Sequence, residues 1–522
     1  MTLDPKDLDL PDKFPAWRVG QFDAITRTVT TPKFTFMVDA PTGCGKSLIG
    51  AAVQRLLNTN VCYLVGTKQL QDQVLTDFPY AKTVKGRSNY RCLNYPNMFP
   101  TISAEECTNS KAQPCKNQVK CPYQAAKRAA LEAPLAVLNY SYFLTEANLV
   151  KKFSKQKYII ADECDTIEDQ LMGFISVVIT QRMIDRLSLP TPRFKTKFES
   201  WIEWAAPTVE LLRKEFEALE SELSHTGSWT LIDFKQLKRK NELHRMLTKL
   251  KFFTKEVDKN WVWYPEEDKW TFKPVWVAKY APSTFWDYTQ KALGMSATIL
   301  DPKQLARDTG VTLSTDPGIR KDYSYHQMSS PFPKEHRPVY YNPVANLIHR
   351  EMDSELPKLL IGVQEVMDKH KEDNILVHTV SYKVRDFLKA RLVPSSRIVT
   401  HGIADRMEKL DLFKKHRGMV LLSPSMDRGV DLPNDECRVV IITKVPFPYL
   451  GDPQVQRRVH QGNDGNEWYA YKTVSKIVQM AGRGVRGMDD YAVTYILDAQ
   501  FDKVYRESKR LFPPWFQEAV IS

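Results

Sequence analysis

With 522 residues, 43% of them hydrophobic and 26% charged, the chain has an ordinary globular composition and length enough for three or four domains. No apolar run approaches the roughly 18 residues that span a bilayer, and the acidic, Pro-broken start MTLDPKDLDLPDKF is not the pattern of a signal or transit peptide. The net charge of +12, with a pI near 9.0, points to a polyanionic partner, because each phosphate neutralised by Lys or Arg releases counterions.

Short β-branched runs alternate with amphipathic stretches in two regions. In the first, Phe34–Val38, Val61–Val65, Leu135–Leu138 and Tyr158–Ala161 are predicted as buried strands. In the second, Asn374–His378, Met419–Leu422, Arg438–Ile442 and Ala492–Leu497 have the same character. Apolar runs separated by helices are what a parallel sheet covered on both faces produces, so two α/β lobes are expected. The first is interrupted twice. Residues 85–130 carry four cysteines, and residues 171–285 lose the strand rhythm and become charged and helical. The second interruption ends in Trp261, Trp263, Trp270, Trp276 and Trp286, read first as packing aromatics and second as nucleotide-stacking ones.

Between the first predicted strand and the helix SLIGAAVQRLL lies Ala40-Pro41-Thr42-Gly43-Cys44-Gly45-Lys46-Ser47. Gly43 and Gly45 allow the backbone to curl so that its N–H groups face phosphates; Lys46 reaches the β/γ phosphates and the Ser47 hydroxyl ligates Mg²⁺. Cys44 is read as a small filler. The pair Asp162-Glu163 follows 116 residues after Lys46, at the end of a predicted strand, with Cys164 and Asp165 behind it. Asp162 suits a metal held through water, and Glu163 suits polarisation of an attacking water. Further on come Gly294-Met-Ser296-Ala297-Thr298 and Gln479-Met-Ala-Gly482-Arg483-Gly-Val-Arg486. Two arginines three apart share a helical face and suit transition-state charge on a γ-phosphate. A solvated basic helix end is the competing reading.

Eight cysteines occur, and Cys92, Cys107, Cys115 and Cys121 fall within 30 residues, spaced C-x14-C-x7-C-x5-C. Zinc sites usually pair cysteines two to four residues apart, which this segment does not do. Four thiolates from an irregular loop, with Pro122 after the last, suit a [4Fe–4S] cluster, and zinc is the alternative. Cys62, Cys164 and Cys437 are read as structural. From Ala81 to Ala130 there are nine Lys/Arg against two Glu, a net +7 that includes Lys85, Arg87, Arg91, Lys116, Lys120, Lys127 and Arg128. This patch would offset an anionic cluster and grip a phosphate backbone.

The order of these motifs resembles the superfamily 2 helicases of the XPD/DinG branch over nearly the whole chain. Trp17-Arg18-Val-Gly20-Gln21 looks like the adenine-reading Q motif, and Val65-Gly-Thr67-Lys68-Gln69-Leu70-Gln-Asp-Gln73 like motif Ia. Lys85-Gly-Arg87-Ser-Asn-Tyr-Arg91-Cys92, and Cys121-Pro-Tyr-Gln-Ala-Ala-Lys-Arg continuing to Asn139-Tyr140, are characteristic of the branch. His378-Thr379-Val-Ser381-Tyr resembles motif IV, Met426-Asp-Arg-Gly429-Val-Asp431 motif V, and the arginine pair motif VI. Asp165 stands where the family usually has the His that couples the ATP site to the other lobe, and Arg428 where it commonly has Glu.

The resemblance implies two RecA-like lobes of the P-loop NTPase class, with an iron–sulfur insertion and a mainly helical arch in the first. The expected segments are 1–84, 131–170 and 286–300 for lobe one, 85–130 for the cluster, 171–285 for the arch and 301–522 for lobe two. It implies a monomeric ATP- and Mg²⁺-dependent DNA helicase moving 5′→3′ on single-stranded and tailed duplex DNA, with DNA repair among its roles and RNA still open. Lys46, Asp162, Glu163, Gln479, Arg483 and Arg486 would be catalytic, with Arg18, Gln21, the loop from Pro41 to Ser47, Gly429 and Asp431 at the nucleotide. Thr67, Lys68, Lys85, Arg87, Arg91, His378, Thr379 and Ser381 would hold nucleic acid. A translocase or remodeller with little strand separation is one rival. A nucleotide-gated binding protein is another, opposed by the intact Lys46, Asp162, Glu163, Arg483 and Arg486. An N-terminal nuclease domain is not expected, since the Q motif comes almost at once. The expected place is the cytoplasm (nucleoid or viral replication site), or the nucleus in a eukaryote.

Overall fold

Every residue of Thr35–Asp39 (β1) and Val61–Val65 (β2) is buried, as a continuous apolar run requires when both faces of its sheet are covered. The computed structural model describes residues 3–93, 102–107, 115, 117–224, 231–316, 321–426, 432–485 and 487–521. Along the chain follow β3 (Lys82–Thr83), β4 (Leu135–Asn139), β5 (Gln156–Asp162), β6 (Val177–Thr180), β7 (Trp261–Pro265), β8 (Lys269–Pro274), β9 (Thr289–Ser296) and β10 (Tyr323–Gln327). Seven of these form a parallel sheet in the order β10-β1-β9-β5-β2-β4-β3. The second lobe holds β11 (Val339–Ala345), β12 (Ile375–His378), β13 (Ile398–Thr400), β14 (Val420–Ser423), β15 (Val439–Ile442), β16 (Val493–Asp498) and β17 (Val520–Ile521). These make a second parallel sheet, β13-β14-β12-β15-β16-β11-β17. Both lobes are RecA-like, and a separate core packs each face of each sheet.

Register brings the chemistry to one edge. Asp39 pairs with Ser296 and Asp162 with Met295, so the segments that follow β1, β5 and β9 emerge together. Open parallel sheets bind ligands there, at the carboxyl ends of their strands.

One sequence expectation needs correcting. Lobe two was expected from residue 301, yet β10 pairs with β1 along its whole length and forms the edge of the first sheet. Its sequence, Tyr-Ser-Tyr-His-Gln, has no β-branched residue, and an edge strand needs none of the two-sided burial that marks the others.

Between β5 and β9, the antiparallel sheet β6-β8-β7 supports two long helices, Phe198–Ser224 and Leu231–Glu256. Aromatic packing holds them: Trp201 is fully buried, with ring centroids 4.6 Å from Trp270 and 5.3 Å from Trp204. Trp261, Trp270 and Trp286 are also buried, in keeping with the packing reading of the Trp-rich stretch. The far end of the helix pair meets the Cys-bearing segment, where Ile102 packs on Leu223, Phe234 and Leu237. Arg245 and Lys238 pair there with Glu105 (2.7 Å) and Glu106 (3.3 Å). Among the described residues, no helix is long and apolar enough to cross a membrane.

Candidate active site

The phosphate loop leaves β1 and enters the helix Lys46–Leu57 through two left-handed glycines, Gly43 at φ +78° and Gly45 at φ +81°. Space is restricted as well. A Cβ on Gly43 would fall 2.8 Å from the Phe332 ring, and one on Gly45 2.5 Å from Gln21 Nε2. Gly43→Ala therefore combines left-handed strain with a clash. It is expected to weaken Mg-ATP binding at least about tenfold, as read by titration with a fluorescent ATP analogue.

The buried Gln21 side chain braces this loop. Its Nε2 donates to Cys44 O at 2.7 Å, while its Oε1 accepts from Arg18 N at 2.7 Å, and the Arg18 guanidinium donates to Gly43 O. Lys46 Nζ donates to Ala40 O at 3.3 Å. Cys44 is buried, as a filler should be.

Asp162 ends β5 with its side chain buried. Its carboxylate accepts from Tyr63 Oη at 3.1 Å and from the Glu163 backbone N–H at 3.0 Å, and its carbonyl accepts from Tyr140 Oη. Burial raises its pKa against the opposing Lys46 charge and these hydrogen bonds. A divalent cation beside Ser47 and Asp162 would relieve that cost, so these residues fit Mg²⁺. Glu163 follows in the left-handed region at φ +49°, a conformation costing roughly 1–3 kcal/mol in a non-glycine residue and concentrated at functional sites. Its Oε2 lies 3.0 Å from where a Cβ on Gly66 would stand, so a side chain at the start of motif Ia would press on this carboxylate.

Asp165 is the centre of a cross-cleft network. Its carboxylate accepts from Ser296 Oγ (2.7 Å), Thr298 Oγ1 (2.8 Å) and Gln479 Nε2 (3.1 Å), and the same Gln479 amide donates to Thr298 Oγ1 at 2.9 Å. The acid in the usual His position therefore keeps the connection between lobes. Gly482 lies against the phosphate loop, with a Cβ there 3.0 Å from Thr42 Oγ1, and the adjoining Arg483 is buried. Arg486, Gly429 and Asp431 lie outside the described residues.

Asp39, unremarked in the sequence, is a buried acid immediately before the loop. Tyr325 Oη (3.2 Å) and Gln327 Nε2 (3.1 Å) of β10 both donate to its Oδ2. Burial lifts its pKa to about 7, opposed by those two donors and by Lys46. The folded chain thus holds a proton that the unfolded chain releases above about pH 4. Stability should fall as pH rises from about 4 to 7, by up to roughly 4 kcal/mol. Asp39→Asn is expected to flatten that slope and to be the more stable protein at pH 8, read from urea midpoints at pH 5 and 8.

The remaining predicted positions divide. Cys92, Cys107, Cys115 and Cys121 line one small cavity of about 40 Å³ with Arg87 and Tyr123. Among the described residues, no group of three or more His, Cys, Asp or Glu is placed to hold a single metal ion. Thr67 caps the helix Lys68–Asp77 by accepting from Leu70 N at 3.2 Å, and Lys68 is exposed beside it. Lys85 pairs with Asp72 at 2.8 Å, Arg87 covers the Tyr123 ring, and Arg91 is exposed. In motif IV, His378 and Thr379 are corrected. Both side chains are buried where β12 ends between β14 and β15, which leaves them no surface for nucleic acid. Ser381 is half-buried and caps the next helix, accepting from Val384 N at 3.3 Å.

Two family models match, one on each lobe: "Type III restriction enzyme, res subunit" over residues 15–184 and "Helicase C-terminal domain" over residues 363–519. The fold is similar to that of an XPD helicase, with a TM-score of 0.63 at 14% identity over 94% of this chain and 98% of that one. It is also similar to Xpd4 of S. tokodaii, with a TM-score of 0.58 at 13% identity over 96% and 98%. The regulator of telomere elongation helicase 1 homolog of Drosophila grimshawi is 34% identical over 93 residues, covering 16% of this chain and 9% of that protein. The match thus spans under a tenth of that curated relative. With a family model on each lobe and the fold shared, the chain is similar to the XPD/DinG-like superfamily 2 helicases.

Proposed function

We propose that this protein is an ATP-dependent DNA helicase that moves 5′→3′ on single-stranded DNA and separates tailed duplexes. The observation that carries the reading is the Asp165 network. One carboxylate joins the segment after Asp162-Glu163 to Thr298 in the first lobe and to Gln479 in the second. Hydrolysis in the cleft then has a direct route to lobe movement. Loop N–H groups and Lys46 hold the phosphates, Ser47 and Asp162 hold Mg²⁺, Glu163 polarises the water, and Arg483 with Arg486 offsets transition-state charge.

Nucleic acid has a suitable groove beside the arch. A cavity of about 1010 Å³ between the arch and lobe one is lined by Arg182, Lys249, Phe174 and Phe252, and by Arg186 paired with Glu242 at 2.6 Å. Cations for phosphates and rings for bases are the usual means of gripping a single strand without reading sequence. Cys92, Cys107, Cys115 and Cys121 share one cavity, and their thiolates would hold a four-thiolate cluster that braces the insertion against the arch.

The test is unwinding of 5′-tailed and 3′-tailed DNA duplexes with ATP, using anaerobically purified protein and Lys46→Ala as control. Separation of the 5′-tailed substrate alone, lost in the control, is the expected result. DNA-stimulated hydrolysis without separation of either substrate would make the protein a translocase instead. Iron and acid-labile sulfide assays, repeated on Cys115→Ser, test the cluster.

A further inference from the structure

The second lobe meets the first at both ends of one helix, Asn463–Ala481. Its C-terminal end brings Gln479 and Gly482 to the nucleotide site. Toward its N-terminal end, Trp468 Nε1 donates to Glu168 Oε2 at 3.2 Å, and Lys472 Nζ lies 2.9 Å from the same oxygen. Glu168 stands in the helix Ile167–Ile175, three residues beyond Asp165. The neighbouring helix Pro453–Val459 adds Arg458, 2% exposed, whose Nη1 is 2.6 Å from Glu168 Oε1. Its Nε donates to Val275 O at 2.7 Å, and its guanidinium lies 4.4 Å from each ring centre of Trp276 and Trp468. Gln454 Nε2, donating to Pro274 O at 2.6 Å, and Tyr264 Oη, donating to Asp452 at 2.9 Å, tie the same helix to the arch base.

The two ends differ in how easily they part. The Arg458–Glu168 pair is sealed from water, so separating it would strand a buried charge. Burial alone would raise the Glu168 carboxyl, but Lys472 and Arg458 hold it well below the usual carboxylate range, so it stays ionised. The hydrogen bonds of Gln479 involve a neutral amide, and Asp165 keeps those from Ser296 and Thr298 when Gln479 leaves, so parting this end strands no unpaired charge. Geometry then makes the helix a lever. Trp468 and Gln479 are about 16 Å apart along the axis, so a turn of about 10° at the clasp carries Gln479 through about 3 Å, enough to make or break its hydrogen bonds.

We propose that the Arg458–Glu168 clasp, closed by Trp276 and Trp468, is the fixed joint on which the second lobe turns. Arg458 is then a positioning residue for Gln479 and Arg483. This rests on the ATP-hydrolysing reading above.

The test uses the full chain with Arg458→Lys, which keeps the charge but loses the planar stack, and with Glu168→Gln, which keeps the shape. Dyes on the two lobes report cleft width by energy transfer, with and without Mg-AMPPNP. Wild type should show two sharp distances, and each folded variant a broadened distribution. DNA-stimulated kcat should drop at least about tenfold, with KM for ATP and Mg-ADP affinity within about twofold. Sharp wild-type distances with kcat within about twofold would overturn the proposal, as would a loss confined to KM. If Arg458→Lys does not fold, Glu168→Gln and Trp468→Phe carry the same readouts. A wild-type protein that never hydrolyses ATP would overturn the functional reading alone, because the distances test the joint without turnover.

Discussion

Glu163→Gln is expected to lower ATP turnover by about 10²- to 10⁴-fold while leaving Mg-ATP affinity within a few-fold. The substitution keeps the size of the side chain and removes only its capacity to take the water's proton. The residue is held in a left-handed conformation at the carboxyl end of β5, with its Oε2 beside Gly66. Asp162 next to it keeps its own hydrogen bonds from Tyr63 and from the backbone N–H, so the metal-binding side of the site is left in place. Phosphate release measured beside equilibrium binding of a fluorescent ATP analogue separates the two effects. Turnover within about tenfold of wild type would remove Glu163 from the chemistry and leave it a structural role.

Arg458→Ala is expected to be the most destabilising single change at the lobe junction, by about 3–5 kcal/mol, because it takes one of two cations from a buried carboxylate and empties the site of a large buried side chain. Glu168 would keep Lys472 and Trp468 but lose the guanidinium at 2.6 Å, and the space between two indole rings would be vacated. Surface pairs provide the contrast. Arg213 with Glu217 lies on the exposed face of the arch helix, where water and salt screen the pair. Urea unfolding of both alanine variants compares them directly, and equal midpoints would refute the claim that burial sets the difference.

Local features were the most legible from sequence. The phosphate loop needs its glycines and Lys46 within eight residues, and Asp162-Glu163 needs only the strand that precedes it. The physical demand and the residues that meet it are adjacent in the chain, so pattern alone finds them. The buried strands were legible for the same reason: each carries its own evidence of two-sided burial, as in Val61–Val65. An edge strand such as β10 carries none, and only its pairing with β1 assigns it to the first lobe.

Burial corrected the reading of motif IV. His378 and Thr379 have the residue types of a phosphate-contacting motif, but their strand lies inside the sheet and covers them. Asp39 shows the reverse. An acid ending an apolar strand drew no notice, although folding removes it from water and places Tyr325 and Gln327, almost 300 residues away, on its carboxylate.

The sequence by itself determined the class of machine: two α/β lobes, a phosphate loop and paired carboxylates, each specified by short-range pattern. The tertiary structure alone decided how the lobes are joined. Gln479 reaches Asp165 across 314 residues and Trp468 reaches Glu168 across 300. No local propensity encodes a contact of that separation, because its partners meet, and their attraction offsets the cost of desolvation, only where the two folded lobes pack together.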